Sequence, residues 1–512
     1  MKRVLISVSD KRGIVDFANF LEKNGYEIIS TGGTEKILKD SGIKTLNISE
    51  ITGFPEIMDG RVKTLHPNVH GGLLCVRDNP EHMKALLENN IELIDMVIVN
   101  LYPFKEVLEK NSTHENLIEN IDIGGPSMLR SAAKNHKFVT VCVDPGDYKT
   151  IQEEIEKYND TTPETKNYLA AKVFRYTSSY DSLIANYLTS RLGEKFPEII
   201  TLSYEKVQNL RYGENPHQEA AFYKSLISGF SLANAEQLNG KELSFNNIQD
   251  TDAALKIIRE FKEPTVVAVK HMNPCGVASG IDINSAWKKT LAADPVSIFG
   301  GIIVANREID LETAKEMGEL FLEIIVAPSY TPEALEILSK KKNLRVLKLD
   351  LKSNQKNNLS ITNVCDGILI QDTDNIFNLQ NDDALNLECV TDKKPTEDEL
   401  KQMLFLWKVV KHVKSNAIVI GDNFQTLGVG AGQMNRVGAA KIALEQAGEK
   451  ATGAFLASDA FFPMSDTVEL AAKCGIKGII QPGGSIKDKD SIDKCNEYGI
   501  SMIFTNIRHF KH

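Results

Sequence analysis

No run of about 18 apolar residues occurs in this 512-residue chain, so no membrane-spanning helix is expected. The N-terminal segment MKRVLISVSDKRG has too short an apolar stretch for a secretory signal, and Asp10 follows at once; it reads as a buried first strand. Positive charge is in deficit, with 59 Lys and Arg against 69 Asp and Glu, a formal net charge of -10. That excludes a general nucleic-acid binder, which needs a basic surface to neutralise phosphates. It leaves room for small anionic ligands, since a pocket can be locally positive in an acidic protein. The cysteines (Cys75, Cys142, Cys275, Cys365, Cys389, Cys474 and Cys495) include no CxxC pair. A zinc ribbon or disulfide framework is excluded, and reduced thiols in a cytoplasmic compartment are expected. Low-complexity tracts are absent as well.

The chain is 42% hydrophobic and 25% charged, ordinary values for a globular protein. Its length corresponds to roughly three folding units. Over residues 1–150, short apolar runs (4–8, 27–30, 96–100, 138–143) alternate with helical spacing (13–23, 35–39), as in a parallel sheet covered on both faces. Residues 151–190 are expected to be helical, and 192–201, with Gly193 and Pro197, to be a linker. The second half repeats an order of elements. A strand at 265–270, a Gly-containing turn, a helix near 283–292 and strands at 300–304 and 324–327 are echoed by a strand at 417–420, the Gly-rich run 428–432, a helix at 436–446 and strands at 453–457 and 478–481. Two similarly ordered modules point to duplication. Residues 352–360 and 380–396 are polar and are expected to be loops.

Two early corners, Ser7-Val8-Ser9-Asp10-Lys11 and Ser30-Thr31-Gly32-Gly33-Thr34, fall where a strand ends and a helix begins. Hydroxyls, free backbone N–H groups and a helix N-terminus together form an anion site, though Ser and Thr are also ordinary N-caps. The stretch Arg61-Val62-Lys63-Thr64-Leu65-His66-Pro67-Asn68-Val69-His70-Gly71-Gly72 crowds two cations, a hydroxyl and imidazoles into a loop with Pro and Gly breaks, a candidate for chemistry with a solvated basic loop as an equal alternative. His66 and His70 have metal-like spacing, but Pro67 lies between them and no HExxH glutamate accompanies them. Tyr102 follows a strand end. Asp122, flanked by isoleucines, precedes a helix that carries Lys134; a buried carboxylate there needs a cation or hydrogen bonds, and a helix cap is an equal alternative.

In the second half, Arg211 and Tyr212 lie in the turn-forming LRYGENPHQ, and Lys270-His271 at a strand end in KHMNPCG. Adjacent residues on a strand point oppositely, so both reach one ligand only if the strand ends or twists there. The PC of that motif is not followed by the second cysteine of a nucleobase deaminase, since position 278 is Ala, which excludes zinc hydrolysis. The glycine run 428–432 lacks both the P-loop lysine and GxGxxG spacing, so ATP and NAD are not indicated.

Taken together, SVSDK, RVKTLHP, NLYPF, IDIGGP, AAKNH, LRYGENPHQ, KHMNPCG, SNAIVI, GVGAGQMNR, DAFFP and TNIRHF, in this order, resemble the bifunctional purine biosynthesis family. In that family a phosphoribosylaminoimidazolecarboxamide (AICAR) formyltransferase is joined to an inosine monophosphate (IMP) cyclohydrolase. The resemblance implies an N-terminal methylglyoxal-synthase-like parallel-sheet domain over residues 1–199. It implies a C-terminal transformylase over 200–512, built from two cytidine-deaminase-like α/β modules without zinc. It also implies 10-formyltetrahydrofolate as cosubstrate, no metal, a homodimer, and AICAR, formyl-AICAR and IMP as ligands, with neither nucleic acid nor membrane as partner.

For formyl transfer, the resemblance implies His271 as base, Lys270 as electrostatic stabiliser and Asn416 as orienting group. Arg211 and Tyr212 suit the nucleotide, Phe461 and Asp466 the pterin, and Arg508 a carboxylate or phosphate. For ring closure it implies Lys63 and Tyr102 at the oxyanion and leaving water, and Asp122 and Lys134 in proton handling. Ser9, Lys11, Thr31, Gly32, Gly33, Thr34 and Arg61 are candidates for the ribose 5-phosphate. A catalytically inactive nucleotide-sensing protein on the same fold is the rival; its signature would be loss of Lys63, Lys270 or His271, and all three are present.

Overall fold

The computed structural model describes residues 1–227, 229–352, 359–375 and 386–512. These divide into two compact units: Met1–Tyr204 with Ser225–Ile227, and the described residues of Glu205–Lys224 and Ser228–His512.

Unit 1 begins with β1 (Lys2–Val8), α1 (Ile14–Lys23), β2 (Tyr26–Ser30), α2 (Gly32–Asp40), β3 (Thr45–Asn47) and α3 (Ile48–Thr52). It continues through α4 (Pro67–Leu74), α5 (Pro80–Glu88), β4 (Met96–Asn100), α6 (Phe104–Glu109), α7 (His114–Glu119), α8 (Gly124–Lys134) and β5 (Thr140–Cys142). Two helices, α9 (Tyr148–Tyr158) and the long α10 (Pro163–Arg191), close it. The strands pair in parallel in the order β3-β2-β1-β4-β5. Strands buried on both faces must be apolar on both, and Val4, Leu5, Ile6, Ile28, Ile29, Val97 and Ile98 are all buried in the core. Each such side chain contributes about 1.5–3 kcal/mol. Chain order reverses between β1 and β4, which opens a crevice at their carboxyl ends.

Among the described residues β6 (Tyr204–Leu210) pairs only with β7 (Ala220–Ser225), both lying in unit 2 except for Tyr204 and Ser225, and β8 (Glu236–Asn239) leads into the first module. That module runs α11 (Phe245–Ile258), β9 (Thr265–Lys270), β10 (Asn273–Ser279), α12 (Ile283–Ala293), β11 (Ile302–Ala305), α13 (Leu311–Glu319), β12 (Ile324–Ala327), α14 (Pro332–Ser339) and β13 (Arg345–Lys348). A separate hairpin, β14 (Leu359–Val364) and β15 (Gly367–Asp372), and the short β16 (Glu388–Cys389) come next. The second module repeats the first: α15 (Glu397–Val410), β17 (Ile418–Asp422), β18 (Gln425–Gly430), α16 (Arg436–Ala447), β19 (Phe455–Ser458), α17 (Asp466–Lys473), β20 (Gly478–Gln481), α18 (Asp488–Tyr498) and β21 (Ser501–Phe504). Among the described residues the two modules share one twelve-stranded sheet, β16-β21-β20-β19-β17-β18-β10-β9-β11-β12-β13-β8. Its halves mirror each other. β9 and β17 each pair antiparallel with the strand that follows and with the one beyond it. The next three strands of each module are parallel. Helices α11 and α15 cover a core that spans both modules, with Trp407 and Val267 at 0% exposure. On the opposite face each module has its own core, under α12–α14 and under α16–α18.

The structure departs from the sequence expectations in four places. The 66–72 segment is not all loop: Pro67, which pre-sets helical φ, opens α4, and the His66 Nδ1 accepts from Asn68 N–H at 3.1 Å. After β9 the chain turns straight back as β10. The glycine run belongs largely to strand β18, because α16 lies directly on it: a Cβ on Gly428 would stand 2.0 Å from the Ala443 carbonyl oxygen, and one on Gly430 1.9 Å from that of Ala439. The expected loops at 352–360 and 380–396 lie partly outside the described residues, and their described parts include the start of β14 and all of β16.

Candidate active sites

The crevice of unit 1 holds a cavity of about 560 Å³, lined by Ser9, Lys11, Thr31, Gly33, Thr34, Arg61, Lys63, Tyr102 and Asp122, among others. Its anion corner is built from the first two strand ends. The Thr31 hydroxyl caps no N–H of its own helix; it bonds Ser7 Oγ at 2.8 Å. Thr34 Oγ1 accepts from Val8 N–H at 3.1 Å and from Lys11 Nζ at 2.7 Å. Asn100, at the end of β4, accepts from the N–H groups of Ser9 (2.5 Å) and Asp10 (2.7 Å), which fixes the loop after β1. Gly32, at φ 42, lies where an added Cβ would be 3.8 Å from Lys63 Nζ. Burial, and then the nearby charge of Lys63, push the Lys11 ammonium below its ordinary pKa of 10.5. Two cations brought together at a helix N-terminus are relieved by a bound anion such as a phosphate.

Lys63 lines the same cavity together with Tyr102 and Asp122. Burial raises the Asp122 carboxyl above 3.8; hydrogen bonds from the Gly125 and Tyr102 backbones and the Lys63 charge act the other way. Asp122 Oδ1 caps α8 by accepting from Gly125 N–H at 2.8 Å, the structural alternative, and the residue also lines the cavity. Bare backbone is required here, because a Cβ on Gly125 would stand 2.5 Å from Asp122 Oδ2 and one on Gly124 2.5 Å from Thr64 Oγ1. Tyr102 is 42% exposed. Arg61 pairs with Glu119 at the rim. Lys134 ends α8, exposed and outside the cavity lining. His70 Nδ1 meets Ser131 Oγ at 2.9 Å.

In unit 2, Lys270 and His271 occupy the β9–β10 turn. The strand ends at Lys270, and His271 and Met272 take left-handed φ values of 53° and 62°. A carboxylate outside every sequence motif holds this turn: Asp250 of α11 accepts from His271 N–H at 3.3 Å and Met272 N–H at 2.7 Å. Burial raises its pKa above 3.8, against those two bonds. Comparing the modules in register would have found it, since Asp250 is the sixth residue of α11 and Gln402, the sixth of α15, accepts from Asn423 N–H at 2.6 Å in the matching turn. Lys270 Nζ donates to the Phe299 carbonyl at 2.9 Å. Asn273 Oδ1 accepts from Lys414 N–H at 3.2 Å, which ties the turn to the segment entering β17. There Asn416 donates through Nδ2 to the Gln433 carbonyl at 2.7 Å. Beneath lies fully buried Asp459, which accepts from Ser415 Oγ, Ala417 N–H and Arg436 Nη1.

The remaining residues stand apart from the turn. Arg211 lies over the Tyr212 ring at 4.8 Å, and Arg508 over Phe510 at 4.4 Å. Asp466 Oδ1 accepts from Thr467 N–H at the start of α17, and Phe461 is 36% exposed. Among the described residues, no hydrogen bond or ion pair joins Arg211, Tyr212, Phe461, Asp466 or Arg508 to Lys270 or His271.

A cavity with an anion corner and a buried carboxylate, carried in one chain with a duplicated unit that displays a Lys–His turn, defines a two-centre enzyme. Residues 13–127 match the MGS-like domain family, and residues 132–446 the family described as AICARFT/IMPCHase bienzyme. Bifunctional purine biosynthesis protein PurH of Bacillus cytotoxicus is 60% identical over 516 residues, and that of Bacillus mycoides 59% over 513, each match covering 100% of both chains. A solved chain described as "Crystal structure of ForH" is 34% identical and covers 36% of this chain and 97% of its own, at a TM-score of 0.33. The chain belongs to the AICARFT/IMPCHase bienzyme family. It is a bifunctional enzyme of purine biosynthesis, AICAR transformylase and IMP cyclohydrolase, and the inactive nucleotide-sensing alternative finds no support. Among the described residues no helix is long and apolar enough to cross a membrane, and no group of three or more His, Cys, Asp or Glu is placed to hold a metal ion.

Proposed function

We propose that ring closure takes place in the cavity of unit 1 and formyl transfer at the β9–β10 turn of unit 2, so that residues 1–199 form the cyclohydrolase domain and 200–512 the transformylase domain. One observation carries the first assignment: Lys63, Tyr102 and Asp122 open onto the same cavity as Ser9, Lys11, Thr31 and Thr34. The ribose 5-phosphate binds at those hydroxyls, Lys11 and the Gly32-Gly33 helix start, with Arg61 leaving Glu119 to join it. The carboxamide nitrogen then attacks the formyl carbon and water departs. Because both groups belong to one molecule, holding the formyl rotamer supplies much of the rate. Lys63 and Tyr102 stabilise the oxyanion and the leaving water. Asp122, with its raised pKa, exchanges protons at the amide, and Lys134 assists on reorienting toward the cavity.

In unit 2 the AICAR amine attacks the formyl group of 10-formyltetrahydrofolate, the cosubstrate. His271 takes the amine proton, Lys270 turns from the Phe299 carbonyl to the tetrahedral oxyanion, and Asn416 orients the acceptor. Arg211 and Tyr212 hold the nucleotide, Phe461 and Asp466 the pterin, and Arg508 a carboxylate or phosphate; family resemblance supports these five and the homodimer. Seven free thiols support a reducing, cytoplasmic setting.

Lys63→Ala tests the partition. Loss of one oxyanion donor costs about 10²- to 10³-fold, so cyclisation falls by that factor, formyl transfer persists and formyl-AICAR accumulates. A folded variant that converts AICAR to IMP without accumulating the intermediate would sink the assignment.

A further inference from the structure

We infer that Tyr176 and Tyr180 of α10 are positioning residues for ring closure, clamping the two loops that present Tyr102 and Asp122. This rests on the cyclohydrolase site proposed above. Tyr176 Oη accepts from Leu101 N–H at 3.1 Å, one residue before Tyr102. Tyr180 Oη accepts from Asp122 N–H at 2.9 Å and donates to the Asn120 carbonyl at 2.9 Å, bracketing the turn that aims the carboxylate. The two tyrosines are four residues apart, one helical turn, so their hydroxyls leave the same face of α10. Tyr187 continues that face, with its hydroxyl 2.9 Å from His114 Nδ1 and its ring edge-on to Phe104 at 6.0 Å.

Neither loop has the support of regular structure at these points. Residues 101–103 and 120–123 lie between helices and strands, and their backbone N–H groups would otherwise need water. Burial raises the pKa of both phenols, so they stay neutral and able to donate. α10 also lies beyond residues 13–127, the part that matches the MGS-like domain. Thr31, Gly32, Gly33 and Thr34 of the phosphate corner fall within that match and Ser9 and Lys11 just ahead of it, whereas the device that sets the catalytic loops comes from the helix after it. Such a device acts on geometry in the reacting complex and not on phosphate capture, so its loss falls on kcat rather than KM.

The test uses full-length protein, supplied formyl-AICAR, and Tyr180→Phe and Tyr176→Phe variants. Removing hydrogen bonds that hold a reactive loop is expected to lower kcat for cyclisation about tenfold for Tyr180→Phe, and less for Tyr176→Phe, which loses one bond. KM stays within about twofold, and formyl transfer by the same protein, an internal control, is unchanged. Unaltered kcat in both folded variants, a change confined to KM, or an equal fall in both activities would overturn the inference. If Tyr180→Phe does not fold, Tyr176→Phe alone decides on the same criteria. Asp122→Asn and Tyr102→Phe run in parallel: if both cyclise normally, the site assignment itself is wrong and the inference falls with it, whereas if they are impaired and the α10 variants are not, the inference alone fails.

Discussion

The β9–β10 and β17–β18 turns of unit 2 share a backbone and differ in chemistry. In the first module His271 and Met272 sit at φ 53° and 62°; in the second Asn423 and Phe424 sit at 50° and 54°. Each turn is held from the sixth residue of the preceding long helix, by the carboxylate of Asp250 in one case and the amide of Gln402 in the other. Flanking residues pair identically, Lys270 with Asn273 and Asp422 with Gln425. His271 and Asn423 are both exposed at their turn tips, and each turn is tied to the other module: Lys414 N–H donates to Asn273 Oδ1 at 3.2 Å in the first, while in the second Ser279 N–H donates to the Phe424 carbonyl at 2.9 Å and Lys289 Nζ to that of Asn423 at 3.0 Å. The fold supplies the same backbone presentation twice; under the proposed assignment, side-chain choice makes one copy the formyl-transfer centre and the other a joint.

The sharpest way to break this contrast is to give the first turn the residue of the second. His271→Asn retains a side chain tolerant of left-handed φ but has no base at the pH of assay. Formyl transfer should fall about 10²- to 10⁴-fold with cyclisation intact; equal loss of both activities in folded protein would mean that the turn serves stability only. Asp250→Asn probes the holder, because an amide turns an NH2 toward one of the two backbone N–H groups the carboxylate accepts. Formyl transfer is expected to drop about tenfold. The same variant carries a pH signature. Burial raises the Asp250 pKa, so its contribution to stability is fully present below the ordinary value of 3.8 and is lost as pH rises through the folded value. Wild type should therefore lose Tm relative to Asp250→Asn as pH rises above the ordinary carboxyl value of 3.8; parallel Tm profiles would contradict this. The smallest effect is expected at the second turn. Gln402→Ala strands the Asn423 N–H, so it should cost about 1–3 kcal/mol in denaturant unfolding and leave both rates alone. A slowed formyl transfer would show that the second turn is not a mere joint.

Motif order along the chain made the architecture readable: apolar runs at 4–8 and 96–100 became β1 and β4, and the suspected repeat became two mirrored half-sheets. The anion corner was equally visible, since its residues lie in two short segments. Local pattern failed where glycine serves close approach. Gly428 and Gly430 read as a glycine-rich run between a strand and a helix but themselves form a strand, because the neighbour that forbids a side chain is a helix further along the chain. It also failed for holders. Tyr180 is separated from Asp122 by 58 residues and Asp250 from Met272 by 22, and a buried Tyr or Asp within a helix carries no local mark of what it grips.

The seam at the middle of the large sheet has a bearing on how such a chain escapes aggregation. Only Ala278 and Gln425 pair in register between β10 and β18, and the Thr426 hydroxyl spans the gap, accepting from Val277 N–H at 3.0 Å. A module on its own would present β10 or β18 as a bare outer strand six or seven residues long, an adhesive border for any stray chain. Fused, each module seals the other's border. Among the described residues, what is left at the two rims is β8, with four residues, and β16, with two, too short to template a sheet.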